Sequence, residues 1–571
     1  MTSLIRRRIA QRVYELCKSN VICPDHLEKE IKSNIKVSRR HSPIELQLQA
    51  TGNFEIEANE GLINSFKGDE SIDDVKYDEK HQRFLFSVKP LILAQKLIKN
   101  ILENEEFWKT NCCLQLQKPE KIVVEFSSPN IAKPFHAGHL RSTVLGNFIT
   151  RINQAMGHQV ISLNYLGDWG YQFALLNVGY KLMGSPDELI RDPIGHLYKV
   201  YIAVNDVAQN SNILAKAREY VNKLENNDEK AMKKWKQFRD LSVTHLQETY
   251  ERLGINFTEY HGESMYRESH IRDVLQNLKD LGLLINVGGA QVVETGYSQT
   301  KNHVVLVKQD GSTVYLSRDL AAAIDRFEKY QFDRMYYVVE NGQHDHFKAL
   351  FHIIKRMKKP WHENVDHIKF GRIQKMSTRK GTVVFLKDIL EEAKSRTLES
   401  MKQSPNTKVR GDWEKVADIL GTSAVLINSM KYPRMRNYDF DWDKILTTKA
   451  TSGIQLQYCH ARLCNLRTNC GIQLQDDYDV NLLEEPEALQ LIHCLSRYEE
   501  VLEVSHRDLE PSHLVLYLFT LSKSINVALT ILTVKNEESS KAQARLALFT
   551  ASQIVLNHAL KLVGVRPLNE M

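Results

Sequence analysis

The stretch Lys121-Ile-Val-Val-Glu125-Phe-Ser-Ser-Pro-Asn130-Ile-Ala-Lys-Pro-Phe-His136-Ala-Gly-His139-Leu-Arg-Ser142 decides how this chain is read. It opens on a short apolar run, passes through a Ser-Ser-Pro-Asn loop, and takes up a helix-like pattern from His139. A second apolar run, Gln159 to Leu163, leads into Asn164-Tyr-Leu-Gly-Asp-Trp-Gly170, which is rich in turn formers. Strand, loop, helix, strand is the order of a parallel nucleotide-type sheet, whose ligands gather at the carboxyl ends of the strands.

On the N-terminal side the texture changes to period two. Ile44, Leu46 and Leu48, then Phe54, Ile56 and Ala58, then Phe84, Phe86 and Val88 predict half-buried antiparallel strands. On the C-terminal side, a helical insertion is expected near 171–243 and a second insertion near 270–315, with a hairpin from Val304 to Leu316 turning at Asp310-Gly311. Met335 to Val339 reads as another buried strand. Beyond Asp388 the chain turns helical, and Leu548, Ser552, Val555, Ala559 and Leu562 mark an amphipathic bundle helix stopped by Gly564. The expected fold class is multidomain α/β: a small N-terminal α+β domain (1–118), a Rossmann-like parallel-sheet catalytic domain (119–387), and a C-terminal all-α bundle (388–571).

Length agrees with several domains, since 571 residues at roughly 150 per domain make about four units. Hydrophobic residues at 42% and charged residues at 26% exclude wholesale disorder and fibrous rods. The apolar runs, such as Val515 to Thr520, look too short to cross a bilayer, so no membrane span is expected. Eight cysteines, at 17, 23, 112, 113, 459, 464, 470 and 494, are too scattered for a disulfide framework and read as reduced thiols. From Lys355 to Lys380 nine Lys or Arg face two acids, a local +7 against +6 for the whole chain, which points to a polyanion contact. The start of the chain carries Arg6, Arg7, Arg8, Arg12 and Lys18 against Glu15. An organelle import segment and a first amphipathic helix (Ile5, Ile9, Val13, Leu16) both remain open there.

Two separated motifs carry the chemistry. His136-Ala-Gly-His139 sits between a strand and a helix: two imidazoles three apart can face one ligand, a helix N-terminus favours negative charge, and Gly138 lets a planar base approach the backbone. Such a site suits ATP. Far downstream, Lys375-Met-Ser-Thr-Arg379-Lys380-Gly381 can close over a triphosphate and neutralise charge on departing pyrophosphate. Alone, each motif reads equally as surface histidines or as a solvated charge run. Together they resemble the class I aminoacyl-tRNA synthetases.

The match is narrower still. The stretch Glu125 to Ser142, then Asn164 to Gly170, then Ser317-Arg-Asp-Leu-Ala-Ala-Ala323 closely resembles arginyl-tRNA synthetase, from about Lys121 to the C-terminus. The resemblance implies an arginine–tRNA ligase: arginine and ATP form arginyl-adenylate, and the arginyl group passes to the 3′ end of tRNA(Arg). It implies Glu125, Ser127, Ser128, Asn130, His136, Tyr315, Asp319 and Gln343 around the amino acid, with Asp319 as guanidinium partner and Asn130 and Gln343 at the α-amino and carboxylate end. It further implies His136, Gly138, His139, Lys375, Met376 and Ser377 around ATP, with His136, His139, Lys375 and Arg379 catalytic and Mg²⁺ bridging the phosphates. Members typically need bound tRNA before activation proceeds.

Gln455-Leu-Gln-Tyr458-Cys-His-Ala-Arg462 resembles the family's anticodon-binding helix, which implies that Tyr458 stacks on a base and Arg462 meets phosphate; Tyr458 as bundle core has equal standing. Cys459 and Cys464 lie about 140° apart around a helix and no CxxC occurs, so no zinc and no resident metal is expected. The intact Lys375-Met-Ser-Thr-Arg motif, short N-terminal domain and basic start resemble the mitochondrial-type members, giving the matrix as the expected compartment and the cytoplasm as the alternative. A monomer free of membrane is expected. Two rivals are a small-molecule nucleotidylyltransferase, which needs no large helical bundle, and a catalytically dead scaffold, which should have lost part of the site.

Overall fold

The computed structural model describes residues 2–17, 31, 34–37, 45–49, 60–110, 119–135, 137–207, 211–295, 303–375, 385–405, 407–447 and 451–571. They form two compact units: one of 118–400 and 424–446, the other of 1–117, 401–423 and 447–571.

The first unit is built on a five-stranded parallel sheet of β5 (Lys121–Glu125), β6 (Gln159–Leu166), β7 (Glu259–Gly262), β11 (Arg334–Glu340) and β12 (Val365–Phe370), in the order β12-β11-β5-β6-β7. Ile122, Val123 and Val124 are all buried, the continuous apolar run of a strand covered on both faces. β5 lies between β11 and β6, with Tyr337 opposite Glu125 on one side and Leu163 opposite it on the other. The chain therefore leaves β5 in one direction and returns on its other flank, and the resulting switch point opens a crevice above Glu125.

The helix Leu140–Ala155 crosses the sheet so tightly that a Cβ on Gly146 would come within 2.1 Å of the Phe126 ring. Glycine is required there because no side chain fits between helix and strand end. The predicted insertion near 171–243 is helical, from Tyr171–Met183 through Glu229–Arg252. The predicted hairpin is only partly formed. β10 (His303–Val307) pairs with β9 (Ala290–Glu294), which pairs with β8 (Leu284–Val287), and Thr313 makes a single bridge to Val307 around Gly311 (φ 80°). Tyr315 and Leu316, expected on the return strand, instead begin the helix Tyr315–Tyr330. Leu316, Leu320 and Ala323 form one buried stripe of that helix, and tertiary burial of that stripe overrides the two-residue alternation.

In the second unit, β1 (Ile35–Val37), β2 (Glu45–Gln49), β3 (Ile72–Asp78) and β4 (Arg83–Val88) form an antiparallel sheet in the order β1-β2-β4-β3, with Leu46, Leu48, Phe84 and Phe86 buried. Ile44, Phe54, Ile56 and Ala58 lie outside the described residues. The basic N-terminal segment is the helix Thr2–Cys17, folded into this unit: Ile5, Ile9 and Val13 are buried. Arg8 and Arg12 reach Asp69 at 2.7 and 3.0 Å, and Arg6 reaches Glu500 at 3.0 Å.

The helical part holds Gly453–Asn469, Pro511–Ile531 and Ser539–Leu562, with Leu548, Ser552, Val555 and Ala559 wholly buried. One expectation needs correction. Pro511–Ile531 is long and apolar enough to span a bilayer, because Val515 to Thr520 extends on both sides into a 21-residue helix. Leu514, Val515, Leu518, Leu521 and Ile525 are all buried inside the unit. The apolar length serves a bundle core.

Candidate active site

Beside the crevice at the carboxyl ends of β5 and β6 lies a cavity of about 900 Å³, with Asn130, Trp169, Glu263, Tyr315 and Arg318 in its wall. The loop leaving β5 is held in an unusual backbone: Ser127 and Ser128 adopt φ of 72° and 48°. Ser127 N donates to Ser142 Oγ (3.0 Å), and Ser127 Oγ lies 2.7 Å from the Tyr250 hydroxyl. Ser127 is thus committed to a buried scaffold. Asn130 bridges to Gly167, where any Cβ would meet its Oδ1 at 2.0 Å.

Three carboxylates converge here. Glu125 ends β5 and is buried; Arg326 Nη1 stands 2.5 Å from its Oε2. Burial raises the Glu125 carboxyl, Arg326 pulls it down, and Asp319 pushes it up again. Asp319 lies one turn along the helix from Tyr315, and its Oδ2 is 2.7 Å from His346 Nε2. Glu263, just beyond β7, pairs with Arg318 at 3.2 Å. Burial pushes the Glu263 carboxyl up to about 7, against the pull of Arg318 and with the push of Asp319. Glu125 and Glu263 each face a guanidinium, whereas Asp319 faces an imidazole. Tyr315 is 63% exposed, open to a ligand beside Asp319. Gln343 is exposed on the turn Asn341–Gln343, at the head of the helix that carries His346.

The described flanks of the two signature motifs meet through backbone and one buried arginine. Leu386 N donates to Phe135 O at 2.8 Å, placing the far flank of the Lys375 segment beside the residue preceding His136. Arg141, 1% exposed, donates to Gly371 O at 2.6 Å, Arg436 O at 2.7 Å and Pro433 O at 3.2 Å. Gly371 and Leu386, on either side of the Lys375 motif, are therefore bonded to Arg141 and Phe135, on either side of the His136–His139 motif. Lys375, at φ 55°, follows β13 (Ile373–Gln374), which pairs with β14 (Tyr438–Asp439), and its Nζ donates to Asp439 Oδ2 at 2.6 Å. Gly138 is exposed, and the His139 ring lies 5.4 Å from that of Phe135. His136, Met376, Ser377 and Arg379 lie outside the described residues.

With this geometry in place, likeness to known proteins becomes specific. A family model described as tRNA synthetases class I (R), catalytic domain, matches residues 98–442, well over half of the chain. The chain belongs to the class I arginyl-tRNA synthetases. A second model, the DALR anticodon binding domain, matches residues 456–571. A Bos taurus protein named as a probable mitochondrial arginine–tRNA ligase is 37% identical over 99% of both chains. A Saccharomyces cerevisiae protein named as a cytoplasmic arginine–tRNA ligase is 40% identical, covering 85% of this chain and 82% of that one. The crystal structure of arginyl-tRNA synthetase from Plasmodium falciparum matches at a TM-score of 0.79 and 21% identity, covering 100% of this chain and 99% of that chain; it shows the shared fold. As a member of this family the chain is an arginine–tRNA ligase with ATP as a substrate.

In the other unit of this synthetase, Tyr458 is half exposed, with the Arg462 guanidinium 5.8 Å from its ring centre. Arg462 donates to Asn526 Oδ1 at 2.7 Å, which fixes it beside the tyrosine. Glu263, Arg318, Arg326 and His346 escaped the sequence reading. A signal for Glu263 was available: it follows directly on the short strand Glu259–Gly262, and ligand groups collect at strand ends.

Proposed function

We propose that the chain forms arginyl-adenylate in the crevice above β5 and transfers the arginyl group to tRNA(Arg), with the following division of labour. Asp319, flanked by Glu125 and Tyr315, receives the guanidinium, whose planar fork of donors matches carboxylate and hydroxyl acceptors. Asn130 and Gln343 hold the α-amino and carboxylate end, and Ser127 and Ser128 shape the loop that carries Glu125. His136, Gly138 and His139 seat the nucleotide, and Lys375, Met376, Ser377 and Arg379 close over its phosphates.

In the first step a carboxylate oxygen of arginine attacks the α-phosphorus of ATP in line; the bond to the β-phosphate oxygen breaks and pyrophosphate leaves. In the second, the terminal ribose hydroxyl of tRNA attacks the activated carbonyl, AMP leaves, and the hydroxyl proton passes to solvent. Among the described residues no group of three or more His, Cys, Asp or Glu side chains is arranged to hold a metal. Mg²⁺ is assigned to the ATP phosphates. No zinc is assigned, since His460 Nδ1 lies 2.8 Å from Leu568 O and its Nε2 faces the amides of Gln553 and Asn557.

Tyr458 and Arg462 are assigned to tRNA, the tyrosine as a stacking platform and the arginine at phosphate. A monomer free of membrane is proposed. The compartment proposed is the mitochondrial matrix, with the cytoplasm the alternative, because relatives named for each are similarly close. Fractionation of cells making the tagged full chain decides between them.

The observation that carries this reading is the double anchoring of the Lys375 loop, through Gly371 and Leu386, onto the segment that holds His136 and His139. Arginine-dependent ATP–pyrophosphate exchange by the purified chain, with and without tRNA and with lysine as control, tests it. Exchange with arginine and tRNA is expected; exchange driven by another amino acid would refute the pocket assignment.

A further inference from the structure

Arg326 is a charged side chain in a place where charge is costly. It lies on the helix Tyr315–Tyr330, is 1% exposed, and carries a full guanidinium into the core of the sheet unit. Its Cζ carbon sits 4.8 Å from the Tyr165 ring centre and 5.9 Å from that of Tyr337, so two aromatic rings from the strands flanking β5 enclose it. Its Nη1 meets Glu125 Oε2 at 2.5 Å, while Nε and Nη2 find no hydrogen-bond partner among the described residues. A buried ion pair with unsatisfied donors is a weak stabiliser, and an apolar pair of similar volume would serve the fold as well or better. That points to a use in the site.

The other charged and titratable groups around the pair are Asp319 and Tyr330 on the same helix, Tyr165 on β6, His261 on β7, Tyr337 on β11, Tyr266, and Asp325, which accepts from the Tyr266 hydroxyl at 2.9 Å. Arg326 is the cation that faces Glu125. Without it, Glu125 would stand beside Asp319 in a buried site, and one of two neighbouring carboxyls would hold a proton.

Resting on the proposed arginine pocket, we propose that Arg326 is a positioning residue for the amino acid: it holds Glu125 as an oriented carboxylate and cancels its charge. A protonated carboxyl would present a donor where the substrate's guanidinium also presents donors. With Arg326 in place Glu125 is acceptor-only, and Asp319 alone supplies the net negative charge that the ligand neutralises. Specificity then divides between geometry, set by the Arg326–Glu125 pair, and charge, set by Asp319.

The test uses the full chain with tRNA in the arginine-dependent exchange assay from pH 6.5 to 8.5. Arg326→Met should raise KM for arginine at least 10-fold at pH 7, leave KM for ATP within twofold, and add to the unsubstituted chain's own pH profile a further component in which KM falls as pH rises. Glu125→Gln in the same variant should remove that added dependence. Arg326→Lys retains the charge without the planar fork, so it should raise KM for arginine but keep the original pH profile, and it serves if the methionine variant does not fold. An unchanged KM for arginine, or a loss confined to kcat, in a folded Arg326→Met or Arg326→Lys chain would overturn the inference. Absence of arginine-dependent exchange in the unsubstituted chain would instead sink the pocket on which it rests.

Discussion

His346 Nε2 stands 2.7 Å from Asp319 Oδ2, so the carboxylate assigned to the substrate is oriented by an imidazole from the next helix. Each side chain is about a quarter exposed, which leaves the pair open to an incoming ligand. Asp319→Ala removes the one of the three converging carboxylates that faces no guanidinium among the described residues and should lower kcat/KM for arginine by at least 10³-fold, on the order of 4 kcal/mol. His346→Asn keeps a donor but loses the ring, and should raise KM for arginine about 10-fold with KM for ATP unchanged. Steady-state exchange kinetics on both variants decide the matter; near-normal rates for Asp319→Ala would refute the assignment.

The Glu263 carboxyl, raised by burial to about 7, sets a pH dependence with a definite sign. Between about 4.5 and 7 the folded chain holds a proton there that an unfolded chain releases, so this group's contribution to stability is full below about 4.5 and is lost as pH rises through 7. Arginine binding runs the other way, because a cation favours the ionised form. KM for arginine should therefore fall as pH rises from 6 to 8, and Glu263→Gln should flatten that part of the profile.

Arg141 satisfies three backbone carbonyls from two segments while being almost fully buried. Arg141→Met leaves those acceptors unpaired, at a cost of about 3 kcal/mol. Urea unfolding should show that loss, and exchange activity should fall at saturating arginine and ATP because the Lys375 loop loses an anchor. Full activity with reduced stability would confine Arg141 to a structural role.

His558 gives the helical part an acid limit. Its ring stacks on Trp108 at 3.7 Å, its Nδ1 lies 2.6 Å from the Tyr498 hydroxyl, and burial, with Lys561 adding, lowers its pKa to about 3. The unfolded chain protonates this histidine below about 6.5 and the folded chain only near 3, so the stability is full above 6.5 and is lost progressively as pH falls toward 3. Hydrogen exchange in Ser539–Leu562 should accelerate across that window, and His558→Gln should remove this part of the dependence.

Much of the site is legible in the order of residues alone. The strand Lys121–Glu125, the helix after His139 and the strand Gln159–Leu166 follow from local patterns, and those patterns place Glu125, Asn130 and His139 at strand and helix ends. Legibility fails where burial across elements decides the outcome. Tyr315 reads as a strand residue until the buried stripe behind it is seen to pack. The N-terminal arginines leave an import segment and a first helix equally open in the sequence, and only the fold shows a helix whose Arg6 and Arg8 meet Glu500 and Asp69. Pro511–Ile531 shows its apolar length only once it forms one continuous helix.

The sequence by itself determined the family, most of the order of strands and helices, and the two signature motifs, because periodicity and motif spacing are properties of neighbouring residues. Only the tertiary structure decided how the carboxylates divide their work. Glu125, Glu263 and Asp319 are far apart in the chain, and each carries the same charge on paper. Folding gives Glu125 the guanidinium of Arg326 and Glu263 that of Arg318, and leaves Asp319 with an imidazole. Charge compensation in a buried site depends on distance through space, which no local pattern encodes.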